Sequence, residues 1–185
     1  MPICSLRPNV TREQAVAQFA SRGVTRLIRT LTAGPLASVA ELYLPFRLFR
    51  ARIANRGALE ERLVAIDAVA GVLDLFQFEH IPTADETLTL ETRNRCAVQL
   101  SDALAAERLI AKLRRVVYSR GFFRLQDFVI TAEPVTSLHI PYWLGFRGSN
   151  NHVRIAVIDA IRRRFEGAKM RRLVETWLLS NKPVE

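Results

Sequence analysis

A cluster of basic residues near the C-terminus is the sequence feature best suited to chemistry, and that chemistry is anion binding. Glu166 is the one acidic residue within the cluster. A helix predicted over residues 167–179 begins there, so backbone amides and cationic side chains would point at the same place. Met170, Leu173, Val174, Trp177 and Leu178 form the apolar stripe that would dock this helix. The predicted anion-binding site comprises Arg163, Arg164, Lys169, Arg171 and Arg172.

Two aspartates, Asp67 and Asp159, each follow a strand-like segment, and such a pair could form a carboxylate dyad of the aspartic-protease type. Each is followed by alanine, whereas that mechanism places Thr-Gly or Ser-Gly after the aspartate. A carboxylate at the end of a strand commonly accepts hydrogen bonds from the amides of the next turn. We therefore expect both aspartates to be structural.

The other reactive side chains show no spacing typical of a metal site or a nucleophile. The histidines His80, His139 and His152 have no histidine at i+4 and no nearby cysteine. Cys4 and Cys96 lie outside any Cys-x-x-Cys pattern. The sequence contains neither Gly-x-Ser-x-Gly nor a glycine-rich phosphate loop. We predict no metal, no cofactor and no catalytic residue, while noting that a triad assembled from distant residues would leave no motif.

The overall charge favours an anionic partner. The chain of 185 residues has 27 basic and 18 acidic residues, a formal net charge of +9. Such a charge favours a partner such as nucleic acid, an anionic lipid, another phosphate-containing ligand or an acidic protein. No apolar run approaches the ~18 residues of a membrane helix, and the N-terminal segment has no long apolar core. We expect a cytoplasmic protein without a transmembrane segment.

A second basic group and a group of aromatic residues leave nucleic-acid binding open. Interleaved arginines and aromatic rings can stack nucleobases, but an aromatic core and a solvated helix face are the commoner explanations of such residues. The core and the solvated face are the interpretations we favour. The basic group is Arg108, Lys112, Arg114, Arg115, Arg120 and Arg124, and the aromatic group is Phe122, Phe123, Phe128, Tyr142, Trp143 and Phe146.

Three blocks of the sequence recur in the same order at offsets of 98, 96 and 92 residues. A period near 90 residues indicates a duplicated domain rather than a short-repeat solenoid. The paired blocks are residues 21–27 and 119–125, 42–46 and 138–142, and 65–69 and 157–161.

Each repeated unit should contain a helix followed by an antiparallel hairpin. Thr11 and Gln14 form a capping box before the first helix, and Ser101 or Asp102 caps the second. The apolar pattern slips by one residue after Leu48, which predicts a β-bulge. Residues 72–78 should form a third strand in the first unit. Arg163 stands where the first unit has Gly71, so the second unit's turn should differ.

The predicted fold is α+β, an internal duplication of this helix-then-hairpin unit about a pseudo-two-fold axis, plus a C-terminal helix. Residues 1–98 form the first unit and residues 99–185 the second, within one compact domain. The predicted function is a non-catalytic binding or accessory module whose basic surface holds an anionic partner. The alternatives are a nucleic-acid-binding protein and an enzyme with a cleft between the two units. The sequence does not predict an oligomeric state.

Overall fold

The computed structural model describes residues 2–20, 34–55, 58–119, 128–148 and 153–180. Within these ranges the chain forms three helices and one sheet of eight strands, which confirms a mixed helix-and-strand fold. The helices are α1 (Arg12–Ala20), α2 (Asp102–Ser119) and α3 (Ala168–Ser180). The strands are β1 (Ile3–Leu6), β2 (Leu36–Asn55), β3 (Ala58–Asp67), β4 (Phe76–Phe78), β5 (Thr87–Leu90), β6 (Val129–Arg147), β7 (Arg154–Asp159) and β8 (Arg164–Phe165).

Two long strands, β2 and β6, pair antiparallel along most of their length and form the centre of the sheet. Strand β3 pairs with the second half of β2, and β4 pairs with β3. On the other side, β7 pairs with residues 142–147 of β6, and β1 meets β6 at His139. Strand β8 pairs with β7 and β5 with β1, so both hairpins belong to one continuous sheet.

Both faces of the sheet are covered, because neighbouring residues of a strand point to opposite sides. In β3, Ala65 belongs to the apolar cluster packed on α3, whereas Val64 and Ile66 belong to the cluster packed on α2. In β7, Val157 packs on the α3 side, and Ile158 packs with residues of α1 on the other. Helices α1 and α2 therefore cover one face and α3 covers the opposite face.

The register shift predicted after Leu48 is present, but the extra residue is in the neighbouring strand. Leu48 pairs with Thr136 and Phe49 pairs with Pro134, so Val135 of β6 is the additional residue. The pairing of β2 with β3 is uninterrupted across this point. The buried side of β2 therefore changes between two consecutive residues: Leu48 packs on the α3 face and Phe49 packs on the α2 face.

The helix starts follow the predicted capping pattern. The Thr11 amide donates to Oε1 of Gln14 at 3.0 Å, and the Gln14 amide donates to Oγ1 of Thr11 at 3.3 Å. Ser101 caps α2 by accepting from the Leu104 amide at 3.3 Å. Residues 21–27 and 120–125, which make up most of the first pair of repeated blocks, lie outside the described residues.

Two predictions for the segments that follow β3 and β7 are wrong: one concerns a turn and the other the length of a strand. Arg163 has a φ of 58°, close to the 62° of Gly71, so both turns contain a left-handed residue. Amide donors held by Asp159 fix the turn in spite of the unfavourable arginine conformation. The third strand of the first half is also shorter than predicted, because only Phe76–Phe78 pairs with β3.

Candidate anion-binding site

A cleft of about 640 Å³ lies between helix α3, the turn after β3 and the segment that precedes α2. We call it the α3 cleft. Its size lies within the range of small-molecule binding sites. Its wall is formed by Val69, Ala70, Val72, Arg95, Cys96, Ala97, Gln99, Lys169, Arg172, Leu173, Thr176, Trp177 and Ser180.

Asp67 fixes the turn that forms one wall of the α3 cleft. Its fully buried carboxylate accepts hydrogen bonds from the amides of Ala70, Gly71 and Leu73 at 2.7–2.8 Å. This arrangement confirms the expectation that Asp67 caps its own turn. A carboxylate that accepts several backbone amides holds a turn more firmly than water could, because the bonds are charge-assisted.

Helix α2 supports the same turn from behind. Arg108 donates to the carbonyl oxygen of Ala70, and Lys112 donates to that of Leu73. Burial lowers the pKa of Lys112; Asp67 acts against this shift and the nearby Lys169 reinforces it. Two members of the predicted basic helix face therefore have structural roles, and the turn is held on both sides.

The segment before α2 is tied to the sheet by backbone hydrogen bonds. The Cys96 amide donates to the Tyr43 carbonyl at 3.0 Å, and the Tyr43 amide donates to the Asn94 carbonyl at 2.8 Å. The indole Nε1 of Trp177 donates to the Arg95 carbonyl at 3.2 Å, which joins this segment to α3. The turn after β3 and the segment before α2, which form two walls of the α3 cleft, are thus both connected to rigid elements.

Helix α3 supplies the third wall through one face. Met170, Leu173 and Val174 are buried against the sheet, which orients the helix. The lining residues recur at helical spacing from Lys169 to Ser180, and this face is about 16 Å long at a rise of about 1.5 Å per residue. The predicted docking of the C-terminal helix by its apolar stripe is confirmed.

The α3 cleft is cationic. Its described lining contains Arg95, Lys169 and Arg172 but no acidic side chain. Asp74, outside the lining, lies with Oδ1 3.2 Å from Nζ of Lys169, and both side chains are mostly exposed, at 70% and 65%. An exposed pair of this kind is weak, so a ligand anion can compete with Asp74 for the ammonium group.

The floor of the α3 cleft contains a thiol that is unsuited to nucleophilic attack. Cys96 is buried. Burial raises the pKa of its thiol to about 12, and the charge of Asp67 acts in the same direction. The reactive form of cysteine is the thiolate, so at neutral pH Cys96 is a protonated, apolar part of the wall.

The five residues of the predicted anion site do not share one cavity. Lys169 and Arg172 line the α3 cleft, whereas Arg171 lines a separate cavity of about 310 Å³. Arg163 is exposed in the turn after β7, and Nε of Arg164 lies 3.4 Å from Oε1 of Glu166. The separation follows from helix geometry, since Arg171 and Arg172 are about 100° apart around the axis.

Arg95 is the residue of the α3 cleft that sequence reasoning missed. It belongs to no helix or strand pattern, and its bridge to Tyr43 and the hydrogen bond from Trp177 hold it beside α3. No local sequence signal indicates this contact. The half-buried position of Arg95 beside Trp177 is a consequence of long-range pairing alone.

The second aspartate, Asp159, caps its own turn as predicted. Its Oδ1 accepts from the amides of Ile161 and Arg162, both at 2.8 Å. Its Oδ2 has no hydrogen-bond partner among the described residues and lies 3.9 Å from Nε of Arg162. Burial raises the pKa of Asp159, although the two backbone hydrogen bonds act against this shift.

The remaining candidate residues have structural surroundings. His80 lies 2.9 Å from Glu86, and Nδ1 of His139 lies 3.2 Å from the Cys4 carbonyl oxygen. His152 lies outside the described residues. In the described part of the chain, no three His, Cys, Asp or Glu side chains are grouped to hold a metal ion.

The aromatic group contributes mainly to the core where it is described. Tyr142 and Trp143 are buried, and the Trp143 indole donates to the Val10 carbonyl at 2.9 Å. Phe122 and Phe123 of this group and Arg120 and Arg124 of the basic group lie outside the described residues.

Within the described ranges, no helix has the length and apolar character needed to cross a membrane.

Comparison of the chain with protein-family models, curated proteins and solved structures finds no match. The arguments for function therefore come from the geometry and charge of the α3 cleft.

Proposed function

We propose that this protein is a non-catalytic binding module that holds an anionic ligand in the α3 cleft. The observation that carries the proposal is the lining: three cationic side chains, Arg95, Lys169 and Arg172, and no acidic one among the described lining residues. Cations from two separate segments that converge on one concavity favour an anion over water, because the cleft concentrates their field. The protonated thiol of Cys96 supports binding without covalent chemistry.

The construction of the α3 cleft supports binding by a preformed site. Hydrogen bonds accepted by Asp67 and donated by Arg108 and Lys112 hold the turn, so the walls need little ordering when a ligand enters. A preformed site avoids the entropic cost of ordering loops on binding. An arginine head also matches the planar geometry of a carboxylate or phosphate group.

The nucleic-acid alternative has weaker support. Arg108 and Lys112, which would belong to a basic recognition face on α2, are engaged with the carbonyl groups of Ala70 and Leu73. Nucleic-acid binding would appear as affinity for single- or double-stranded oligonucleotides with a steep dependence on salt. If the Lys169→Gln/Arg172→Gln variant still binds oligonucleotides, and this binding falls steeply with salt, nucleic-acid binding would be favoured over anion binding in the α3 cleft.

Amide NMR spectra recorded during titration with inorganic phosphate and with short carboxylates test the proposal. Chemical-shift changes should cluster at residues 69–72, 95–99 and 169–180, and Lys169→Gln/Arg172→Gln should remove them. Arg163→Gln/Arg171→Gln removes the same charge from outside the α3 cleft and should leave them unchanged. Shift changes that respond equally to both double variants would refute the cleft as the site.

We also propose that the sheet arose by duplication of one unit about a pseudo-two-fold axis. Leu44 pairs with Ile140, and these residues differ by 140 − 44 = 96, the offset of the second repeated block. A two-fold axis through this pair would exchange Tyr43 with His139. Tyr43 forms a parallel bridge to Arg95, and His139 forms one to Ser5.

Matched hydrogen bonds give the duplication further support. The Ala68 amide donates to the Pro45 carbonyl at 2.8 Å, and the Ala160 amide donates to that of Pro141 at 3.1 Å. The Gln99 amide donates to the Ala68 carbonyl at 2.9 Å, just as the amide of Asn9 donates to that of Ala160 at 2.8 Å. With the second half taken to begin near residue 93 rather than 99, each half would contribute its first segment to the other half's long strand, which favours one domain over two.

An experimental structure tests the duplication. One rigid-body rotation should superpose residues 3–19, 42–50 and 63–71 on residues 93–109, 138–146 and 155–163. If each segment requires a different rotation, the sequence repeats do not reflect a duplicated fold.

A further inference from the structure

The α3 cleft differs in polarity between its floor and its rim. Cys96 and Leu173 are buried at its floor, and Val69 and Trp177 are half-buried beside them. Lys169 is exposed at the rim. A bare inorganic anion would satisfy the rim but would leave the apolar floor covered by water.

The phase of α3 produces this division. Leu173 and Trp177 are four residues apart and lie toward the buried side that Met170 and Val174 also face. Arg172 lies about 100° from Leu173 around the helix axis, on the solvent side. The same helix therefore presents an apolar strip along the floor and cations along the edge.

From this division we infer that the ligand is a small amphipathic anion, with an aliphatic or aromatic body on the floor and a carboxylate or phosphate head at the rim. The inference rests on the proposed function and specifies the ligand class for the same site. The head contacts Lys169 and Arg172, and the body lies against Val69, Leu173 and Trp177. The volume of about 640 Å³ suits a small molecule rather than a folded partner.

Charge decides for this ligand over an uncharged apolar one. A neutral hydrocarbon would gain from the floor but would cover part of the hydration of Arg95, Lys169 and Arg172 without replacing it. An anionic head replaces that hydration with charge-assisted hydrogen bonds. An amphipathic anion uses both surfaces at once.

Four probes, octanoate, octyl phosphate, octan-1-ol and inorganic phosphate, are titrated into the full-length protein, and hexanoate is added as a fifth, shorter-chain probe. Isothermal calorimetry gives the affinities, and indole fluorescence reports on Trp177, because Trp143 is buried on the opposite face of the sheet. Octanoate and octyl phosphate should bind more tightly than the other two. Hexanoate and octanoate should differ about fifteenfold, since each buried methylene contributes about fourfold in affinity.

Lys169→Gln/Arg172→Gln should weaken octanoate binding about tenfold, the combined effect of two exposed charge contacts. Arg163→Gln/Arg171→Gln is the matched control and should leave it unchanged. Val69→Thr keeps the side-chain shape but adds a hydroxyl to the floor, so it should weaken octanoate binding without affecting inorganic phosphate.

Each outcome has a distinct meaning. If inorganic phosphate binds as tightly as octyl phosphate and chain length has no effect, the amphipathic inference fails and the proposed anion-binding function stands. If octan-1-ol binds as tightly as octanoate and the Lys169/Arg172 double variant changes nothing, the proposed function itself fails. If none of the probes binds at its solubility limit, both are refuted. If octyl phosphate greatly exceeds octanoate, the class narrows to phosphate monoesters.

Discussion

The two buried aspartates provide a test of what holds the turns together, because they stand at the ends of β3 and β7 with different hydrogen bonds. Asp67 uses both carboxylate oxygens, Oδ1 for Ala70 and Gly71 and Oδ2 for Leu73. Asp159 uses only Oδ1, and its Oδ2 has no hydrogen-bond partner in the described structure. Replacing each by asparagine therefore removes different interactions from nearly identical shapes.

Asparagine keeps one acceptor oxygen and replaces the other by an NH₂ group. In Asp67→Asn, either the amides of Ala70 and Gly71 or the amide of Leu73 must face that NH₂ group. An unsatisfied buried donor costs about 1–3 kcal/mol, and the surviving bonds lose their charge assistance. We expect the free energy of unfolding to fall by about 2–4 kcal/mol.

In Asp159→Asn the amide oxygen can keep both turn amides, and the NH₂ group replaces an oxygen without a hydrogen-bond donor. The substitution removes a buried charge, whose cost offsets the loss of the 3.9 Å contact with Arg162. We expect a change within about 1 kcal/mol in either direction.

Urea unfolding followed by circular dichroism measures both effects as shifts of the midpoint at constant m-value. Each variant is also titrated with phosphate or octanoate. This titration shows whether the α3 cleft is intact in Asp159→Asn, the variant expected to be less affected. Equal losses in the two variants would show that buried charge, rather than the number of satisfied amides, determines the stability of these turns.

Three other predictions follow from the same contacts. Burial raises the pKa values of Asp159 and Glu166. The free energy of unfolding of the wild type, relative to that of Asp159→Asn, should therefore fall as the pH rises above about 4 and through the raised pKa of Asp159. Urea midpoints measured across this pH range test the prediction. Gly71→Ala should lower the free energy of unfolding by about 1–2 kcal/mol, because φ is +62° there and a Cβ atom would lie 2.7 Å from a side chain of α2; an unchanged urea midpoint would contradict this. Ellman's reagent should modify the exposed Cys4 readily and Cys96 only slowly, since burial keeps the Cys96 thiol protonated, and equal rates in single Cys→Ser variants would exclude that reason.

Local sequence signals predicted the elements, and long-range pairing determined the site. The capping box at Thr11, the start of α2 and the apolar stripe of α3 all act within a few residues, so the sequence indicates them directly. The contact of Arg95 with the edge of α3 depends on pairing with Tyr43, more than 50 residues away, and has no local pattern. By contrast, the sequence could have predicted that Arg171 and Arg172 line two different cavities, because consecutive residues of a helix are about 100° apart around its axis.

On the proposed duplication, the two halves carry corresponding clefts, and comparing them shows where function would reside. The second cleft, of about 460 Å³, is lined by Leu6, Asn9 and Ile161, whose counterparts Cys96, Gln99 and Val69 line the α3 cleft.

A segment containing Glu79, Asp85 and Glu86 covers the second cleft where α3 covers the first. If the strand-and-turn frame is shared, the covering element would decide the sign of the charge in each cleft, although Arg7 and His80 also line the second one. Helix α3 has no equivalent among the described residues of the first half, and it supplies two of the three cations in the α3 cleft. Anion binding would thus be a property of the unrepeated helix placed on a repeated frame. Octanoate should accordingly produce no shift changes at Asn9 or Ile161, where the acidic side chains of the lining outnumber Arg7 and would repel its head group.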